Sequence, residues 1–136
     1  MNWIRLMLLL FSIFLGLVIY TADAGRGPQY WGWLEQVPLG DKIGHCSLMF
    51  TLCLLANLAL GCRKVRAGRL AFLVGTAVVA LLVAGEELSQ RWIPGRDFDL
   101  LDLAADAIGI ACADLCARKL WPRLAVEPPP RPVEST

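Results

Sequence analysis

The chain's single histidine, His45, follows Asp41 and Lys42 at the start of an apolar run. Glu86, Glu87 and Gln90 close a second run, and Asp99, Asp102 and Asp106 open a third. An imidazole titrates near neutrality, so beside carboxylates it can serve as a general base, ligate a metal or hydrogen-bond one helix to another. In the first role Glu87 or Asp102 would orient the ring, which makes His45, Glu87 and Asp102 the candidate catalytic set. Asp41, Lys42, Gln90, Arg96 and Asp106 are the candidate binding set, with Lys42 and Arg96 able to hold a phosphate or carboxylate. Arg96 has an equally direct structural role as the ion-pair partner of Asp99 or Asp102. Seven acids (Asp41, Glu86, Glu87, Asp97, Asp99, Asp102, Asp106) face three bases (Lys42, Arg91, Arg96), a surplus that calls for protonated carboxylates or a bound cation. No dedicated metal set is evident: Cys112 and Cys116 share a helical face but lack the two further ligands of a zinc site.

Such residues need elements to carry them, and the composition says which solvent those elements meet. The 136 residues are 57% apolar with mean hydropathy +0.55, more than a soluble domain of this length carries. Thirteen Lys and Arg against twelve Asp and Glu give no basic field for nucleic acid. Five cysteines, an odd number lying mostly in apolar runs, argue against a secreted disulfide scaffold. No phosphate-binding glycine loop, serine elbow or paired-cysteine motif occurs.

Four apolar runs predict an all-α, multi-pass membrane bundle of about four transmembrane helices. They are residues 4–20, 43–60, 70–85 (its helix continuing through the polar 86–90 to Trp92) and 100–120. Ala22-Asp23-Ala24 also fits a cleavage site, although the preceding apolar stretch is long for a signal peptide. Residues 1–124 form the transmembrane unit, and 125–136, with Pro128, Pro129, Pro130 and Pro132, form a proline-rich cytoplasmic tail. Basic residues gather at Arg63, Lys64, Arg66 and Arg69, and again at Arg118, Lys119, Arg123 and Arg131, so both stretches are expected in the cytoplasm together with both termini. The basic stretch 63–69 would also meet anionic lipid.

This orientation puts the candidate catalytic and binding residues on the outer side, at three helix ends and in the connection between the last two helices. Residues four apart share a helical face, which pairs Asp41 with His45, Glu86 with Gln90, and Asp102 with Asp106. The last stripe continues through Gly109 and Ala113, small residues that let another helix approach, so Asp102 and Asp106 should face protein. Asp99 is placed to cap the last helix, and Asp114 to pair with Arg118 one turn on.

In these residues the sequence resembles the VanZ-like family of small bacterial membrane proteins. The matching strings are Asp41-Lys42-x-x-His45, Glu86-Glu87-x-x-Gln90, Pro94-Gly95-Arg96 and Asp102-x-x-x-Asp106-x-x-Gly109, spread over residues 41–113. The chain departs from the family in having Asp106 where Asn is usual, and Met49 where an aromatic residue is usual. The resemblance implies a bundle of about four or five membrane helices and, for the founding member, reduced susceptibility to a glycopeptide; it does not imply a known reaction, and the sequence leaves any cofactor unknown. Three functions follow. The first is a cell-membrane protein whose outward pocket binds or modifies an anionic envelope molecule, either a lipid headgroup or a lipid-linked glycan precursor. The second is an enzyme acting on such a molecule through His45. The third is an accessory subunit whose polar residues only specify helix packing.

Overall fold

The computed structural model describes residues 2–68, 70–92 and 99–124. Arg96 and the proline-rich tail therefore lie outside the described residues. The chain is mainly helical: α1 (Asn2–Asp23), α2 (Gly27–Trp31), α3 (Gly40–Ala59), α4 (Val74–Ser89) and α5 (Leu100–Leu124), with single 3-10 turns at Leu34–Gln36 and Gln90–Trp92. Between α3 and α4, β1 (Lys64–Ala67) and β2 (Leu70–Leu73) form an antiparallel hairpin with Val65 opposite Phe72. Among the described residues, two helices, Trp3–Asp23 within α1 and Gly40–Ala59, are long and apolar enough to cross a membrane.

The third apolar run is thus part strand and part helix. Residues 70–73 were expected to begin a helix, but they pair with the basic stretch before them, and α4 starts only at Val74. The cause is local. Gly61 and Cys62 both take left-handed backbone angles and end α3 in a double-bonded cap, Gly61 N–H to Leu58 O and Cys62 N–H to Asn57 O. Gly68, also left-handed, then turns the chain back on itself.

α3 is the central helix and packs on α1, α4 and α5, its contact with α5 being the most extensive. The stripe of small residues explains the closeness: a Cβ on Gly109 would collide with the backbone carbonyl of Cys46, and Ala113 and Ala117 are fully buried on the same face. Around this seam, Leu15, Met49, Cys53, Val79, Val83 and Ile110 make the main apolar core. A second cluster of Ile4, Leu58 and Ala59, with Trp121 against it, sets α1 antiparallel to α3. α1 otherwise turns Leu6, Leu9, Leu10, Ile13, Phe14 and Leu17 outward, each at least half exposed.

Candidate functional site

Asp99 begins the site. It lies just ahead of α5, and its Oδ1 accepts the Leu101 N–H at 2.8 Å, satisfying one of the donors that a helix start leaves free. Its N–H in turn donates to Glu87 Oε1 at 3.1 Å, which ties the end of α4 to the start of α5. α3 closes the third side. Lys42 Nζ lies 2.5 Å from Asp99 Oδ2, 2.6 Å from Asp102 Oδ1 and 2.9 Å from Asp41 Oδ2. One turn further, His45 Nδ1 is 3.2 Å from Asp106 Oδ1, while its Nε2 lies 4.0 Å from Asp102 Oδ1. The three helix ends meet, and Lys42, His45, Glu87, Asp99, Asp102 and Asp106 form one cluster.

Burial divides this cluster. Glu87 and Asp106 are almost wholly buried, His45 is one-third exposed, and Asp41 is half exposed at the rim. Gln90, also buried, donates from Nε2 to Glu86 Oε1 at 3.0 Å and belongs to the edge of the site. Glu87 Oε2 is buried with no hydrogen-bond partner. Outside the helical spans, the Lys42 ammonium holds the Asp99 carboxyl below its ordinary value.

Two expected roles change with this geometry. The group that orients His45 is Asp106 rather than Glu87 or Asp102: Glu87 is engaged by the Asp99 backbone, and Asp102 by Lys42. Lys42 also has its charge matched before any anion arrives: it donates a hydrogen bond to Asp99 Oδ2 and lies within ion-pair distance of the Asp41 and Asp102 carboxylates. Nor does Asp41 contact His45 across the shared face; it turns to Lys42, whose N–H it also accepts at 2.9 Å. Among the described residues, no group of three or more His, Cys, Asp and Glu side chains has a metal-holding arrangement.

A cavity of about 380 Å³ opens beside the histidine, walled by α1, α3 and α4. His45, Asp106 and Glu86 form its polar end, and the rest of its wall is apolar apart from Ser12.

A second polar network lies near the hairpin, and of it the sequence announces only the Asp114–Arg118 pair. Asn57, fully buried, donates from Nδ2 to Thr76 Oγ1 at 2.9 Å and accepts the Thr76 N–H at 3.0 Å. Thr76 Oγ1 donates to Asp114 Oδ1 at 2.7 Å. Arg118 bonds Asp114 through Nε and reaches the Ala71 carbonyl at 3.0 Å, so the expected Asp114–Arg118 pair also fastens the hairpin. Gly75 makes the contact possible, because a Cβ there would come within 2.5 Å of Asn57 Oδ1. The available signal was one amide and one hydroxyl inside otherwise apolar runs.

Comparison with known proteins finds a similarity to an uncharacterized protein of the fission yeast Schizosaccharomyces pombe, 31% identical over 102 residues. The match takes in 75% of this chain, and the chain spans 58% of that relative's length. No protein-family model and no solved structure matches the chain.

Proposed function

We propose that this chain is a VanZ-like multi-pass membrane protein of four transmembrane helices (α1, α3, α4 and α5), with both termini cytoplasmic. Its outward-facing recess binds or modifies an anionic cell-envelope molecule. One observation carries the reading: the His45–Asp106 pair forms a polar end of an otherwise apolar-walled cavity, the arrangement that suits a molecule with a polar head and an apolar body. α1 supports the membrane setting, since a helix apolar on all sides yet largely uncovered by protein suits lipid rather than water. The basic hairpin supports the sidedness.

With Lys42 occupied by carboxylates, Arg96 is the proposed anion contact. A relative in a yeast favours a lipid headgroup, common to all membranes, over a bacterial wall precursor. His45, oriented by Asp106, is the residue that would take a proton if the protein is an enzyme. The pairing of Lys42 with carboxylates from two helix ends favours the rival accessory role, in which the cluster only joins helix ends.

Two measurements test the reading. In a cysteine-free background, Tyr30→Cys should react with a membrane-impermeant maleimide on intact cells, and Lys64→Cys only after permeabilisation. Labelling of both from one side overturns the topology. His45→Ala and Arg96→Ala should each accumulate normally and lose the purified protein's co-isolated envelope lipid; a variant that accumulates and retains it supports the accessory role.

A further inference from the structure

We infer that the groove between α4 and α5 takes one acyl chain of an anionic phospholipid of the cytoplasmic leaflet, whose phosphate lies against the basic hairpin. The inference rests on the membrane topology proposed above and adds a second site, on the side away from His45.

The groove has the size of a chain. Its volume is about 460 Å³, with Ala80 and Val83 of α4 facing Ala107 and Ala111 of α5, and its ends lie at Leu103 and at Phe72 of β2. A dry protein cavity of roughly 150 Å³ holds one six-carbon ring, so this volume admits a chain of roughly eighteen carbons. From Leu103 to Leu115, which also lines it, is about 18 Å at the helical rise, somewhat more than one leaflet of a ~30 Å core. A helix about 10 Å across would take on the order of 1,400 Å³ over the same length, several times what the groove encloses.

The hairpin gives the groove a charged end. Thr76 and Asp114 line that end, but Asp114 already accepts hydrogen bonds from Thr76 Oγ1 and the Arg118 guanidinium, so the closed network there serves as wall. The headgroup contacts are bases outside it. In the antiparallel register Val65 stands opposite Phe72, 44% and 39% exposed, and Lys64 and Arg66 flank Val65 on β1. Strand spacing and rise put their Cα atoms about 6 Å from that of Phe72. The pleat turns Val65 and Phe72 to one face and the exposed Lys64 and Arg66 to the other, an apolar side for acyl chains and a basic side for headgroups.

The surplus of base does not depend on the tail. Residues 58–85 hold four Lys and Arg and no acid, and 114–136 hold four with three acids, so positive charge remains whichever partners Glu127 and Glu134 take. An anionic headgroup complements such a surface, and each Lys or Arg close to it strengthens binding roughly fivefold.

The test uses the full-length protein purified in detergent, as wild type and as Arg96→Ala, the second to take the outward anion contact out of the reading. Retention of dioleoyl phosphatidylglycerol and dioleoyl phosphatidylcholine is read by native mass spectrometry, with the thermal midpoint as the check on folding. Phosphatidylglycerol should be retained at least tenfold more strongly in both proteins. Lys64→Gln combined with Arg66→Gln should lower that preference to threefold or less. Ala107→Phe and Ala111→Leu, which fill the groove from exposed positions, should each cut phosphatidylglycerol retention at least tenfold with the lipid-free midpoint preserved.

A preference that survives the hairpin double variant overturns the headgroup assignment, and retention that survives both groove-filling variants overturns the chain site. Loss of the preference in Arg96→Ala returns the lipid to the outward recess and overturns this second site. A wild-type dimer that either groove-filling variant dissociates gives the groove to a second copy instead, and a preference that emerges only when Glu127→Gln and Glu134→Gln are combined gives the hairpin to the tail. Each of those results leaves the outward recess standing, whereas Lys64→Cys labelled on intact cells puts the hairpin outside and overturns this site and the proposed topology together.

Discussion

The two polar networks stand about 18 Å apart along α3, as His45 and Asn57 are twelve residues apart at a rise of ~1.5 Å, and they are built on opposite principles. At the hairpin end one acid meets one base, and an amide and a hydroxyl join them to two other elements: Asn57, Thr76, Asp114 and Arg118 each have partners. At the other end Lys42 faces three carboxylates, Asp106 is held by His45, and Glu87 keeps one oxygen unpartnered in a buried position. A closed network fixes one packing of its helices and has nothing left to offer a ligand. Among the described residues this end holds more buried acid than base, which works against stability and points to use, all the more where it adjoins a cavity.

The largest test of this contrast removes the cation from each end. Lys42→Met leaves three converging carboxylates without their ammonium, and the loss should be about 2–3 kcal/mol, below the figure for a fully buried pair because Asp41 and Asp99 are partly exposed. Arg118→Met leaves Asp114 still bonded by Thr76, and should cost about 1–2 kcal/mol. Denaturant unfolding in detergent gives both values, and the reverse order would mean that the two ends share one logic.

A smaller effect sharpens the same contrast with neutral changes. Asn57→Ala strips the Thr76 N–H of its acceptor inside the bundle and should cost about 1 kcal/mol, with lipid retention unchanged in the folded fraction. Glu87→Gln keeps an oxygen for the Asp99 N–H and removes a buried charge, so stability should hold or rise by up to about 1 kcal/mol. A loss above that amount in Glu87→Gln would mean that its second oxygen has a structural partner after all.

The sequence makes the first network far more legible than the second, for a physical reason. Acids and a histidine inside apolar runs are costly anywhere in a membrane, so Asp102, Asp106 and His45 announce that they face protein, and the Gly109–Ala113 stripe tells which face. Which partner each one takes is settled by helix offsets of a few ångströms: that placed Asp106, not Glu87, on His45 and filled Lys42 with carboxylates. Asn57 and Thr76 carry no charge and interrupt their runs only once each. Their pairing depends on Gly75 letting two backbones approach and so escapes any reading of one helix at a time. The hairpin was hidden by hydropathy itself, because Leu70–Leu73 is as apolar as the helix it precedes, and only the left-handed Gly61, Cys62 and Gly68 send it back along the basic stretch.

The smallest effect concerns acid. Asp99 has its carboxyl held below the ordinary 3.8 by Lys42, with Leu101 N–H as a second, weaker cause. A depressed folded-state value means that the unfolded chain binds this proton more readily. The stabilising contribution is therefore fully present above the unfolded value and is lost as pH falls through the folded one. Asp99→Asn retains a side-chain oxygen for the Leu101 N–H, and asparagine caps helices as well as aspartate does, so the cap survives and only the ion pair goes. Thermal midpoints followed from pH 7 to pH 2.5 should fall for the wild type on the acid side of pH 4, and the difference between wild type and variant should narrow over the same interval. The Asp114 pair at the hairpin end is untouched by this substitution and cancels from that difference. A gap that stays constant down to pH 2.5 would show that Asp99 acts at the carboxylate-rich end through its cap alone, with Lys42 held by Asp102 and Asp41.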